Sequence, residues 1–324
     1  MRERAPVNNE TLRKPNETLV SEIEELKESG SVEFQQISTE IKKKYEERMA
    51  ETGSLEKSPK KLLILECTDM DYLMGRLMVL SDGRLGANNV DMVDAVNDGK
   101  DLSLDNVGGI IVSGSASDIV EKEQKPWIGE MEEFVKEALD RKIPVMGICF
   151  GIQVHADLKG REVPKNEGGR EMGIWDTAVY LEGDEVKHPI FNGLDFQQDD
   201  RGRKSALLKT VGSHAYHAGY NPPTEERNIH GIHFTESGHG YPMIEIDGSF
   251  VGTQFHPELS IPEGLAILKA LVKKRADKLV ADDKDPKAIL KEIEQYEIDI
   301  KDGKNDNRTF LNNFVSMVFE KGDK

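Results

Sequence analysis

The chain has 324 residues, enough for one large α/β domain with appendages or for two modest domains. Its formal net charge of −17 repels phosphate backbones and anionic headgroups, so neither nucleic acid nor a membrane surface is an expected partner. Two cysteines, Cys67 and Cys149, are too few for a disulfide framework and suit a reducing compartment, and with no apolar leader or bilayer-length apolar run the expected location is the cytoplasm.

Residues 1–60 are rich in Glu, Lys, Ser and Asn, with apolar residues only at intervals. Leu19, Ile23 and Leu26, and then Phe34, Ile37, Ile41, Tyr45 and Met49, fall at helical spacing. This predicts a disordered start, one or two amphipathic helices broken near Gly30, and a linker from Glu51 to Lys60 with Gly53 and Pro59. Helices lying on the parent domain are favoured over a dedicated partner-binding arm. At Lys61 the texture changes. KLLILEC reads as a strand buried on both faces, and GGIIVSG (108–114) as a second. A helical stripe runs from Pro126 to Asp140 through Trp127, Ile128, Met131, Phe134, Val135 and Leu139, and KIPVMGIC gives a third strand. Strand, helix, strand in that order implies right-handed crossovers and a parallel sheet. From Trp175 to Phe255 the runs AVYLEG, YPMIEIDG and SFVGTQF are shorter and turn-rich, as antiparallel or mixed strands completing the sheet would be. Residues 263–282, 286–300 and 310–319 read as helices.

The most informative stretch is Gly147-Ile148-Cys149-Phe150-Gly151-Ile152-Gln153, placed after a strand and before a helical run. Gly-x-nucleophile-x-Gly there is a nucleophile elbow, whose sharp turn demands small residues two positions either side. A thiol at a helix N-terminus has its thiolate stabilised by the helix dipole. Cys67 lacks such a setting and is expected to be buried and inert. A thiolate needs a base, and the base an orienting group. Gly252-Thr253-Gln254-Phe255-His256-Pro257-Glu258 offers both: His256 to accept the thiol proton and later protonate the leaving group, and Glu258 to fix its tautomer. The oxyanion of acyl transfer needs backbone N–H donors. Phe150 supplies one, and the loop Ser113-Gly114-Ser115-Ala116-Ser117 a second, from Gly114 or Ser115.

The segments GICFGIQ and GTQFHPE resemble the class I, triad-type glutamine amidotransferases, in which G-x-C-x-G-x-Q carries the nucleophile and H-P-E the other two members of the triad. VGGIIVSGSASDI is similar to that family's oxyanion strand and loop. PWIGEMEEFVKEALDRKIPVMGICFG and GGREMG (168–173) resemble stand-alone members related to the GMP synthase amidotransferase domain. The resemblance covers about residues 61–272. It implies a flavodoxin-like three-layer α/β sandwich with a central, mostly parallel sheet over residues 61–275, a helical N-terminal extension (1–60) and a helical C-terminal tail (276–324). It also implies L-glutamine as substrate, with Gln153, Gly151 and the Gly114 loop, and Ser213 and His214, helping to hold it, and no cofactor. Relatives often carry Ser-His-x-Asp, where this chain reads Ser213-His214-Ala215-Tyr216-His217, and Ile152 stands where many carry His or Met.

Six of the eight histidines, His214, His217, His230, His233, His239 and His256, lie between 214 and 256, with HxxH spacing twice. Zinc favours such spacings, but usually with further Cys, Asp or His ligands, so no functional metal is expected and these histidines are placed at the active-site rim. Three activities fit the residues: glutamine hydrolysis delivering ammonia to a separate synthase subunit, hydrolysis of γ-glutamyl amides or peptides by the same triad, or a non-catalytic regulator bound through its acidic helical arms. A complete set of triad residue types favours the first two. No phosphate-binding Gly-rich loop is present, which places any synthase half on another polypeptide.

Overall fold

The apolar run KLLILE becomes β1 (Lys61–Glu66), and its alternation sends its side chains to opposite faces of a sheet. Leu62 and Ile64 join a core cluster on one face, while Leu63 and Leu65 join a second cluster on the other. The structure is a computed structural model, and the residues it describes are 17–51, 55, 60–98, 102–166, 169–181, 187–198, 204–218, 229–234, 240–301 and 307–319. The expected disordered start, and Gly53 and Pro59 of the expected linker, lie outside them.

A ten-stranded sheet runs in the order β2 (Val90–Asp94), β1, β3 (Val107–Val112), β4 (Val145–Ile148), β10 (Phe250–Thr253), β9 (Gly240–Asp247), β8 (Ile229–Phe234), β5 (Glu171–Leu181), β7 (Lys204–His214), β6 (Gln197–Gln198). From β2 to β10 neighbours pair parallel, and from β10 to β6 antiparallel. The parallel part is the half built on continuous apolar runs, and the turn-rich stretch after Trp175 supplies most of the antiparallel half. Helices α3 (Pro126–Asp140) and α4 (Phe150–Leu158) cover one face through Ile128, Met131, Val135, Phe150 and Val154. On the other face α2 (Leu73–Asp82), α5 (Pro262–Lys274) and α8 (Arg308–Phe319) bury Leu77, Leu268 and Phe314. Two cores, one on each side of the sheet, make this the three-layer α/β architecture that the sequence implied.

The N-terminal extension corrects one expectation. Residues Glu17–Ala50 form a single 34-residue helix, α1, with no break at Gly30. Gly30 marks a close approach instead: a Cβ there would lie 2.5 Å from both the Lys273 Cβ and the Lys274 backbone nitrogen of α5. The helix lies along the domain, burying Ile41 completely, and is tied down by Lys27–Asp277 (2.7 Å), Lys44–Glu263 (2.6 Å) and Lys273–Glu33 (2.8 Å). A second correction concerns residues 263–282, read as one helix. The chain leaves helical geometry at Arg275 (φ −108°) and restarts as α6 (Ala276–Ala281), a turn that lets Ala276 and Leu279 reach the core. Then α7 (Pro286–Lys301) lies across β5 and α5. Helix α8 packs against α2 and β3, with Val318 seated on Gly109, where a Cβ would meet it at 2.3 Å. No helix among the described residues is long and apolar enough to cross a membrane.

Candidate active site

Cys149 directly follows β4 and opens α4 with φ 52° and ψ −94°, left-handed backbone that costs a non-glycine residue on the order of 1–3 kcal/mol. The neighbours explain how the turn is tolerated. A Cβ on Gly147 would lie 2.5 Å from the Gly151 carbonyl carbon, and one on Gly151 would lie 2.8 Å from the Val112 carbonyl oxygen. Both glycines are therefore required by close backbone packing, which is the steric logic of an elbow. It also gives Gly151 a structural task rather than a place on the cavity wall.

Strand β10 runs parallel to β4, with Thr253 opposite Ile148, and the Cys149 amide donates to the Thr253 carbonyl at 2.7 Å. The chain leaving β10 therefore passes beside the nucleophile at the same carboxyl edge of the sheet. The His256 amide donates to the Val211 carbonyl (2.7 Å), and Pro257–Leu259 wind into a 3₁₀ turn that aims Glu258 back at the imidazole. His256 Nδ1 and Glu258 Oε1 are 2.6 Å apart, and Glu258 is fully buried. Burial disfavours the imidazolium, but the Glu258 carboxylate and Cys149 outweigh it and hold the His256 pKa up to about 10. His256 thus carries its proton at neutral pH, between a carboxylate and the Cys149 sulfur.

Gln254, not singled out from the sequence, is fully buried; its Nε2 lies 3.6 Å from Cys149 Sγ as a donor, and its Oε1 accepts from the Ala218 amide at 3.3 Å. Its position two residues before His256 in GTQFHPE was the available signal. The loop after β3 is pinned by its serines: Ser113 Oγ accepts from the Cys67 amide (2.9 Å), and Ser115 Oγ donates to the Cys67 carbonyl (2.5 Å). Gly114 lies against the imidazole, where a Cβ would come within 2.6 Å of His256 Cε1. Phe150 is the first residue of α4, one of the positions whose N–H has no partner within the helix. Cys67 sits in the core against Met131, its thiol pushed up by burial and by Glu66, as an inert structural cysteine would be.

A cavity of about 10 Å³, room for roughly one water, opens beside Cys149 and Phe150 and is lined also by Ser115, Gln153, Ser213 and His214. Of the expected substrate contacts, Gln153, Ser213 and His214 reach it, while Gly151 and Gly114 do not. Gln153 donates from Nε2 to the Tyr216 carbonyl at 2.8 Å. The Ser213 carbonyl lies 3.9 Å from Cys149 Sγ. His214 Nε2 is 3.2 Å from Glu171 Oε2, and burial lowers its pKa despite that carboxylate. Ile152 packs under Gly252 in the core rather than facing the cavity. Two further lining residues, Asp118 and Arg170, were not picked out from the sequence as site residues. The other histidines scatter: His217 lies 3.4 Å from the Ala218 carbonyl, and His230 packs on the Phe191 ring at 5.7 Å. The His233 side chain and His239 lie outside the described residues. Among the described residues no three His, Cys, Asp or Glu groups converge as metal ligands.

Residues 84–274 match the family model described as glutamine amidotransferase class-I. The chain is 33% identical over 153 residues to the imidazole glycerol phosphate synthase subunit HisH of Rhodospirillum rubrum, a match spanning 43% of this chain and 65% of that protein. It is 30% identical over 216 residues to the subunit of the same name from Methanosarcina acetivorans, covering 63% of this chain and 96% of that one. A crystal structure of a glutamine amidotransferase from Thermotoga maritima superposes with a TM-score of 0.58 at 18% identity, over 82% of this chain and 100% of that chain, a likeness of fold.

Proposed function

Since the chain belongs to the class I glutamine amidotransferase family, we propose that it releases ammonia from L-glutamine through a Cys149 thioester, with His256 and Glu258 completing the triad. The observation that carries this reading is the charged His256 held at 2.6 Å by buried Glu258 beside an elbow cysteine. Cys149 sulfur attacks the glutamine Cδ, and the oxygen of that carbonyl gains charge facing the N–H groups of Phe150 and of the Gly114–Ser115 loop. The C–N bond breaks as His256 gives its proton to the departing nitrogen, leaving a γ-glutamyl thioester and ammonia. Water then attacks the thioester, His256 takes its proton, and glutamate leaves as the sulfur is regenerated.

The name "synthase subunit" borne by two relatives supports a further part of the proposal: the ammonia passes to a synthase on a separate polypeptide. Residues 61–275 form the amidotransferase domain in this reading, and 1–60 and 276–324 are its extensions. The finer kinship with stand-alone GMP synthase-like amidotransferases rests on the sequence motifs GICFGIQ and GGREMG. Two free, buried cysteines suit work in the cytoplasm. The test is glutamate release from glutamine by the whole chain, beside Cys149→Ala. Release that disappears in the variant supports the triad; release that persists in it removes Cys149 as nucleophile.

A further inference from the structure

The cavity at Cys149 is lined by two residues of opposite charge. Asp118 comes directly after the small-residue loop that follows β3, and Arg170 just before β5. Both line the same small space as the nucleophile, yet no ion pair joins them among the described residues. Asp118 is half-buried; burial lifts its carboxyl and the Arg170 charge opposes that lift. The same lining includes Gln153, which is 3% exposed and whose Oε1 is buried without a hydrogen-bond partner. A buried, unsatisfied carbonyl oxygen costs on the order of 1–3 kcal/mol, and in a cavity wall it marks a place where a donor is to be received.

Arg170 is held from outside the residues that match the family model (84–274). Its N–H donates to Asp282 Oδ2 at 3.2 Å, and its carbonyl accepts from Lys284 Nζ at 2.9 Å. The preceding Gly169 has φ 76°, and a Cβ there would lie 2.4 Å from the Asp282 carboxyl carbon. The turn between α6 and α7 therefore grips both backbone faces of Arg170 and fixes where its side chain starts.

Resting on the glutaminase reading above, we propose that Asp118 and Arg170 form a charge clamp for the α-amino-acid end of a γ-glutamyl substrate. The Arg170 guanidinium takes the α-carboxylate, and the Asp118 carboxylate takes the α-ammonium with Gln153 Oε1 as second acceptor. The chemistry fits the substrate class: the two charges sit on one carbon, three bonds from the carbonyl carbon that Cys149 attacks, so opposite charges held near but apart beside the nucleophile are complementary to it. The space of about 10 Å³ is too small for the whole molecule, so its lining must shift on binding. The clamp selects free γ-glutamyl compounds over glutamine residues within a peptide chain, whose α-groups are uncharged amides.

The test uses the whole chain with two electrophiles: 6-diazo-5-oxo-L-norleucine, which carries the α-ammonium and α-carboxylate of glutamine, and iodoacetamide, which carries neither. Asp118→Asn and Arg170→Gln should each slow labelling of Cys149 by the amino-acid electrophile about 10–100-fold, the loss of one charged hydrogen-bond partner. Both should leave iodoacetamide labelling near wild type, which also reports an intact elbow. Arg170→Lys should recover part of the loss. The wild type should prefer glutamine to its α-amide, and Arg170→Gln should lose that preference. Variants that label with the amino-acid electrophile as fast as wild type overturn the clamp and leave the glutaminase reading standing. A wild type that the amino-acid electrophile does not label at all overturns the glutaminase reading itself, and the clamp with it.

Discussion

Replacing Glu258 with Gln removes one charge from a fully buried position while keeping the side-chain shape. In the native site the Glu258 oxygen lies 2.6 Å from His256 Nδ1. Opposite unit charges about 4 Å apart at an effective dielectric of about 20 attract by about 4 kcal/mol. That equals about three pKa units. Burial, which opposes the imidazolium, is unchanged by the substitution. His256 should therefore fall from about 10 to about 7. The proposed chemistry needs the imidazolium to protonate the departing nitrogen, so activity present below the His256 pKa is lost as pH rises through it. The assay is the pH profile of glutamine hydrolysis or of Cys149 labelling by the glutamine-shaped electrophile, from about pH 6 to about 10.5. The alkaline limb should move from near 10 to about 7, so that at about pH 8 the titration alone lowers the rate about tenfold. Loss of control over ring orientation adds to this. An alkaline limb that stays near 10 in Glu258→Gln would refute the assignment of Glu258 as the group that holds His256 charged.

Gly114→Ala places a Cβ 2.6 Å from His256 Cε1; Cys149 labelling should fall by about two orders of magnitude while the thermal melt changes little. Glu66, buried at the end of β1 against Thr68 and Gly75, has its pKa raised to about 7, chiefly by burial. A carboxyl whose folded pKa exceeds its unfolded value gives stability that is full below the unfolded pKa and is lost as pH rises through the folded one. Glu66→Gln should therefore match wild type near pH 4.5, the ordinary carboxyl range, and be more stable by up to about 3 kcal/mol at about pH 8, read by denaturant titration. Equal stabilities at both pH values would remove Glu66 as a buried proton carrier. Gly30→Leu drives a side chain into the α5 backbone at 2.5 Å; it should destabilise the chain by about 1–3 kcal/mol and leave iodoacetamide labelling of Cys149 unchanged. A melt identical to wild type would show that α1 does not pack on α5 as described.

The nucleophile and its partners were legible in the sequence because local sterics and chemistry determine them: an elbow works only with glycines two residues either side of Cys149, and His-Pro-Glu fixes two side chains along a few bonds. The three apolar strands and the amphipathic helix 126–140 were legible for the same reason, since period and burial are properties of short segments. Gly30 was misread because a glycine written in sequence is the same symbol whether it breaks a helix or admits a neighbour, and only the approach of α5 distinguishes the two. The turn at Arg275 carries no Gly or Pro, so nothing local announced it. Asp118 and Arg170 are 52 positions apart, and Arg170 is set in place by Asp282 and Lys284 from still further along the chain. Which charged residues face a cavity is decided by how loops from different strands converge at one sheet edge, and that convergence is a property of the packed chain alone.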